Sequence, residues 1–290
     1  MEYVLQNQSL IVKIKDKGAE LFSVVHKQNQ LEYMWSGDPL FWGKTSPVLF
    51  PIVGALRDNA YLYKDKKYTL SRHGFARDHS FGTENQEEDK ITFLLISNES
   101  TLQHYPFPFE LRIIYSITAY TLSVTYEVKN TGNDVMFFSL GAHPAFKVPI
   151  VNGSAYTDYY LEFNRTENSP RWPISNDGLI KTEPEFLLTN TNKLPLDKKL
   201  FENDALVLKH LKSDAISLKS TKHNHGLEFT FEGFPFFGIW AAKNADFVCL
   251  EPWCGIADAV DHDQQLHHKE GIESLRAGRT WSRAWHIKVF

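Results

Sequence analysis

Short runs of alternating apolar residues, separated by turn residues, constrain this chain more than any other feature of its sequence. The clearest case lies between residues 111 and 129. Ile113, Tyr115 and Ile117 alternate on one arm, and Leu122, Val124, Tyr126 and Val128 on the other, with Ala119-Tyr120 near the turn. A period of two places one set of side chains on one face of a strand, so this stretch predicts a hairpin with a buried face. The same grammar predicts a hairpin from Leu10–Ile14 and Leu21–Val25 around Asp16-Lys17-Gly18. It also predicts strands at Tyr33–Trp35, Ile91–Ile96, Leu206–Leu208, Ile216–Leu218 and Leu227–Phe231. Two fully apolar runs, Phe236–Ala241 and Phe247–Leu250, flank Lys243-Asn244-Ala245-Asp246 and read as a central hairpin. Thr83–Lys90 reads as a solvated loop, and the proline-rich stretch 152–195 as short strands and loops. A helical stripe is admitted only near Glu270–Leu275. No repeat, low-complexity tract or linker divides the chain. The class is therefore all-β, a large antiparallel sandwich or barrel with few helices, in a single domain over residues 1–290.

Composition narrows the function classes. Of 290 residues, 14% are aromatic, which suits strand-built cores and flat surfaces for ring stacking. The net charge of −4 and the lack of a large basic cluster argue against nucleic-acid binding. Two cysteines, Cys249 and Cys254, exclude a disulfide scaffold and fit a reducing compartment. The start, Met1-Glu2-Tyr3-Val4-Leu5-Gln6-Asn7, is not that of a signal peptide, and no apolar run reaches membrane-spanning length. These features lead us to expect a soluble cytoplasmic protein with no membrane partner.

Three separated stretches carry residue types suited to chemistry. In Phe137–Phe146, an apolar run ends in Gly141-Ala142-His143-Pro144. Gly141 frees the backbone for a turn or a close approach, and Pro144 biases His143 towards an extended conformation. This places an imidazole, able to move protons near neutral pH, where a buried strand ends. In Arg72-His73-Gly74-Phe75-Ala76-Arg77, two cations and a second imidazole lie within six residues, a set able to bind hydroxyls, a carboxylate or a phosphate. The alternative there is an exposed charged turn. In Phe247–Trp253, an apolar strand ends in Glu251-Pro252-Trp253. Burial would raise the Glu251 pKa into the range of a general base, and Trp253 offers a flat face to a sugar ring. Residues 41–57 mix aromatics with Pro and Gly and read as a structured loop or as one wall of a pocket. The segment Asp261–His268 is rich in histidine and acid but lacks the spacing of a zinc motif, and reads as a solvated loop.

Taken in order, Arg72–Arg77, Gly141–Phe146 and Cys249–Trp253 resemble the aldose 1-epimerase (galactose mutarotase-like) family, in its LacX-like branch. The likeness runs from about Leu10 to the C-terminus. It implies a β-supersandwich fold and interconversion of the α and β anomers of a hexose by acid–base ring opening, with no metal or organic cofactor. It further implies that Glu251 is the base, that His143 is the acid, and that His73 holds the sugar. By the same likeness, Arg57 and Asp204 match two further sugar-binding positions. Galactose mutarotases proper carry Asn-Arg-Ile and Leu-His-Gly-Gly stretches, where this chain has Leu56-Arg57-Asp58 and Arg72-His73-Gly74-Phe75. Arg72 and Arg77 resemble the phosphate-facing arginines of hexose-6-phosphate epimerases. Three readings follow: an epimerase of a free hexose of galactose or glucose type, a hexose-6-phosphate 1-epimerase, or a non-catalytic sugar-binding protein or sensor on the same fold.

Overall fold

A computed structural model describes all 290 residues, and the alternating stretches form antiparallel strands. The hairpin Phe109–Thr118 and Thr121–Asn130 pairs Tyr115 with Val124 and Ile113 with Tyr126. Every apolar residue of its alternation is buried, which fixes the register, because a slip of one residue would expose the whole set. The hairpin sits within a nine-stranded antiparallel sheet. Its order is Glu185–Pro195, Tyr159–Arg171, Ala215–Ser220, Leu227–Thr230, Thr280–Val289, Thr121–Asn130, Phe109–Thr118, Lys90–Ile96 and Gly82–Gln86.

A five-stranded sheet orders Leu140–Gly141, Phe247–Cys254, Phe236–Trp240 and Leu206–Lys209, and Ala145–Lys147 also pairs with Phe247–Cys254. The expected central hairpin is thus the middle of this sheet. The N-terminal sheet holds Glu2–Gln6, Leu10–Lys15, Leu21–His26 and Leu31–Glu32. The nine- and five-stranded sheets meet through aromatic rings: Phe229 lies 5.9 Å from Phe146 and 6.1 Å from Phe237. Tyr3 meets Phe93 edge-on and ties in the N-terminal sheet. A hydrophobic cluster of 71 buried residues runs through all three sheets.

Several local expectations are corrected. Residues 152–195 contain two long strands, Tyr159–Arg171 and Glu185–Pro195, rather than short ones. Register shifts at Glu162, Glu167 and Ser169 absorb the irregularity around Pro170, and Pro195 ends an edge strand, the places where a sheet tolerates proline. Part of the polar stretch Thr83–Lys90 forms the exposed edge strand Gly82–Gln86, whose charged and polar side chains suit an edge. The fourth strand of the N-terminal sheet ends at Glu32, short of the strand expected at Tyr33–Trp35, where Met34 only bridges to Phe146. No helix forms near Glu270–Leu275, where Glu273–Leu275 pairs with Met136–Phe138. The one α-helix is Glu99–His104, six residues long and capped by Asn98. No helix is long and apolar enough to cross a membrane.

Candidate active site

The strand Phe247–Cys254 is buried along its whole length, and residues two apart share a face. Glu251 and Trp253 both line a cavity of about 380 Å³. The Trp253 indole fits because glycines lie on both neighbouring strands. A Cβ at Gly238 would come within 2.4 Å of its ring, and one at Gly141 within 2.5 Å. Gly141 therefore serves close approach within a strand rather than a turn. The indole N–H of Trp253 is buried and has no partner of hydrogen-bond geometry.

His143 follows the strand Leu140–Gly141 and faces Glu251, with Nε2 3.3 Å from the Glu251 Oε2 atom. Both residues are buried. Its ring stacks on Trp42 at 4.8 Å and meets Trp240 edge-on at 5.6 Å. Trp42 is held by its loop: its carbonyl accepts from the Trp35 indole, and buried Glu20 accepts from the backbone N–H groups of Thr45 and Ser46. The His143 Nδ1 atom has no partner. Burial pushes the His143 imidazole down to about 3, and the positive charges of Arg72 and Arg77 act in the same direction. Burial pushes the Glu251 carboxyl well above its ordinary range and Asp204 adds to this, while Arg72 and the Trp253 indole offset part of it. Burial thus drives the two groups towards neutrality from opposite sides.

His73 is the second imidazole. Its ring lies 5.8 Å from that of His143, nearly perpendicular. The Gly54 N–H donates to His73 Nδ1 at 3.1 Å, and the backbone N–H of His73 donates to the Gly54 carbonyl at 2.9 Å. With Nδ1 accepting, the neutral ring carries its proton on Nε2 and keeps a donor free for a ligand. Burial, then His143 and three nearby cations, hold its pKa well below the ordinary value. Gly54 has φ 72°, and a Cβ there would lie 2.4 Å from that of Ala257, so the contact that sets the His73 tautomer requires glycine.

Beneath this wall lies a fully buried ion pair, Lys269 to Asp258 at 2.9 Å. Asp258 also accepts from the Arg57 N–H, donates its own N–H to the Ala55 carbonyl, and receives the Ile180 N–H. It thereby ties the Gly54–Arg57 turn to the Ile180 and Ala257 walls of the cavity.

The remaining sequence candidates divide. Arg72, Arg77 and Asp204 line the cavity together with Glu251, His143, His73 and Trp253. Arg72 lies 3.5 Å from Asp204 and Arg77 3.8 Å from Asp78. One Arg77 nitrogen donates to the Arg72 carbonyl, and its Nε is the atom nearest Asp78, buried and too far from it for a hydrogen bond. Arg57 stands outside the cavity, is exposed, and donates to the His262 carbonyl. The segment 261–268 is more ordered than a solvated loop: the His262 ring packs 3.4 Å from buried Asp258, and Leu266–His268 forms a 3₁₀ turn. The aromatic loop 41–57 does supply cavity wall, through Trp42, Val53 and Gly54. Trp240, Ile174 and Ile180 also line the cavity, and no motif in the sequence singles them out.

The family model for aldose 1-epimerase matches residues 1–282. The chain belongs to the aldose 1-epimerase family. It is 34% identical to the chromosomal LacX protein of Lactococcus lactis subsp. lactis, an alignment that covers 100% of this chain and 99% of that one. A galactose mutarotase related enzyme from Lactobacillus acidophilus superimposes with a TM-score of 0.96 at 35% identity, covering 100% of this chain and 97% of that one. A galactose mutarotase-like protein from Lactobacillus casei gives 0.94 at 30% identity, with both chains covered in full. An aldose epimerase homologue from C. elegans, at 13% identity and a TM-score of 0.75, covers 100% of this chain and 99% of its own and shares the fold. The all-β architecture is thus the galactose mutarotase-like fold of this family, and the sheet pairing described above is that fold in this member.

Proposed function

We propose that this family member is a single-domain aldose 1-epimerase that interconverts the α and β anomers of a free hexose. The observation that carries the reading is the buried contact of His143 Nε2 with Glu251 Oε2 at 3.3 Å, on the wall of a cavity faced by three tryptophans. Glu251 takes the proton of the C1 hydroxyl while His143 gives one to the ring oxygen. The C1–ring oxygen bond breaks, leaving an open-chain aldehyde. The C1–C2 bond rotates, the hydroxyl adds back to the other face, and both protons return. Burial alone favours a protonated Glu251 and a neutral His143, so in this reading the proton passes from Glu251 to His143 across their 3.3 Å contact when the sugar binds, which leaves the carboxylate as base and the imidazolium as acid. His73, with its proton on Nε2, holds the ring oxygen. Trp42, Trp240 and Trp253 present flat apolar faces to the C–H side of the sugar.

A second reading, a hexose 6-phosphate as substrate, draws on cavity-lining Arg77, whose Nε lies 3.8 Å from Asp78, too far for a hydrogen bond. The free hexose is favoured because each cavity arginine already has a carboxylate within 4 Å, Arg72 at 3.5 Å and Arg77 at 3.8 Å. The test is optical rotation of fresh α-glucose, α-galactose and α-glucose 6-phosphate with catalytic amounts of protein. Faster mutarotation of the free hexoses is expected. Sugar binding with no acceleration of any of the three would leave a non-catalytic sugar-binding protein.

A further inference from the structure

The strand that carries Glu251 also carries a buried thiol that the epimerase chemistry leaves unused. Cys249 stands two residues before Glu251, so the two side chains share one face of the strand Phe247–Cys254. Gly141 pairs with Trp253 and Ala145 with Cys249, and this register puts His143 directly across from Glu251. Side chains two apart on one strand and opposite on its neighbour are near enough to share a ligand. Here the Cys249 Sγ, a Glu251 oxygen and a His143 ring nitrogen all lie within 4.8 Å of one another, and all three residues are buried. Cys249 is unpaired. Cys254 Sγ reaches the Gly233 carbonyl at 4.0 Å, whereas Cys249 has no hydrogen-bond partner.

Distance and donor type decide what such a set can hold. A tetrahedral ion with bonds of about 2.0 Å to nitrogen and oxygen keeps those atoms about 3.3 Å apart. His143 Nε2 and Glu251 Oε2 already stand 3.3 Å apart. A metal–sulfur bond is longer, about 2.3 Å, so the thiol completes the set by moving on the order of 1 Å. Thiolate, imidazole and carboxylate together suit a zinc-like ion, whereas magnesium and calcium take oxygen ligands. Glu251 and His143 line the cavity and Cys249 does not, so the fourth position of the ion opens to the cavity. The charge of the ion deprotonates a coordinating thiol, and that proton leaves to solvent as the metal–sulfur bond forms.

We propose that Cys249, His143 and Glu251 form a site for a thiophilic divalent cation of the zinc class, and that its occupancy shuts off turnover. An ion there engages the Glu251 oxygen and the His143 nitrogen, so neither exchanges a proton with a sugar. The site rests on the geometry of the three ligands, and the shut-off rests on the epimerase reading.

The experiment titrates metal-free protein with Co²⁺ and then displaces it with Zn²⁺, in wild type, Cys249→Ala and Cys249→Ser. Mutarotation of fresh α-glucose is followed with and without Zn²⁺ and read as a ratio within each protein. Wild type is expected to take up Co²⁺ with the intense visible bands of a tetrahedral ion and a near-ultraviolet thiolate-to-metal band. Zn²⁺ should displace it and slow mutarotation tenfold or more, and EDTA should restore the rate. Both variants should lose the thiolate band, bind Zn²⁺ at least tenfold more weakly and lose most of the inhibition. Serine keeps the size of the side chain, so a loss shared by both variants at unchanged circular dichroism is the loss of a ligand. No thiolate band in wild type, or a band that survives in both variants, would overturn the site. Zn²⁺ held equally by all three proteins would belong to surface histidines such as His267 and His268, and would overturn it too. Bound Zn²⁺ that leaves the rate unchanged would overturn the shut-off. The spectra also keep the two readings apart: a thiolate band that depends on Cys249, in a protein that turns over no sugar when metal-free, keeps the site and ends the epimerase reading. Turnover with no thiolate band does the reverse.

Discussion

At Glu251 the requirements of chemistry and of stability point in opposite directions. Its carboxyl is raised above 4.5 by burial, so at pH values between 4.5 and its folded pKa the native state holds a proton that the unfolded chain has released. Stability from this residue therefore falls as pH rises through that window. Glu251→Gln removes the effect and keeps the shape. The variant should be more stable than wild type at pH 8, on the order of 0.5–2 kcal/mol, with the gap closing towards pH 4. Its turnover should drop about a hundredfold to ten-thousandfold. Urea melts across pH and polarimetry check the two halves; a variant no more stable at pH 8, or one as active as wild type, would contradict the assignment. His143 behaves in the opposite sense, since a histidine held down to about 3 contributes stability that is lost as pH falls from 6.5. His143→Asn should lower turnover strongly. With a base and an acid 3.3 Å apart, wild-type kcat/KM should trace a bell against pH whose two limbs belong to the pair. A flat profile from acid to mildly alkaline pH would rule out a Glu–His pair.

The strand Phe247–Cys254 shows how an element turns sequence into a site. Its apolar run places it at the sheet centre, and its period of two turns Glu251 and Trp253 to one side. Gly238 and Gly141 then clear a slot for the indole. Gly238→Ala would drive a methyl group into the Trp253 ring, held on its other side by the strand of Gly141. Overpacking of this kind costs about 1–3 kcal/mol, and the shifted strand should carry Glu251 away from His143. Stability and turnover should fall together, and unchanged values for both would show that the slot is slack. The buried pair below has the same character. Lys269→Met leaves Asp258 charged among apolar walls, an expected loss of about 3–5 kcal/mol in a urea melt, of which Asp258→Asn in the same chain should recover a large part. These elements differ in how far the sequence revealed them. Alternation in Phe109–Asn130 is a local signal and was readable. The long strands around Pro170 were not, because bulges remove the period that makes a strand visible. The helix at Glu99 was hidden by its brevity: six residues hold less than two turns.

At the scale of the whole molecule, the candidate site is assembled from segments more than two hundred residues apart, Trp42 to Glu251. Single motifs carry Glu251, His143 and His73 because a titratable side chain beside proline or glycine stands out in an apolar run. Trp240 and Ile180 carry no such mark, and only the folded sheets bring them to the cavity. Arg57 is the converse case, a motif position whose backbone is tied to Asp258 while its side chain faces solvent. Charge across the molecule bears on the last question, whether the sugar is phosphorylated. The chain carries a net charge of −4, and the cavity offers Arg72 and Arg77. Arg72 must turn from Asp204, and Arg77 from Asp78, before either can grip a phosphate, and the negative field of the protein opposes a dianion at long range. Glucose should therefore exceed glucose 6-phosphate in kcat/KM. If the arginines instead close on the ester, the preference would be tenfold or more, about 1.4 kcal/mol. It would shrink as salt rises, because charge-assisted contacts at a partly exposed cavity mouth are screened. Measuring both substrates at low and high salt decides between these outcomes. A salt-sensitive preference for the ester would make Arg72 and Arg77 specificity residues; a preference for the free sugar, narrowing as salt screens the repulsion of the dianion, leaves them as supports of the cavity wall.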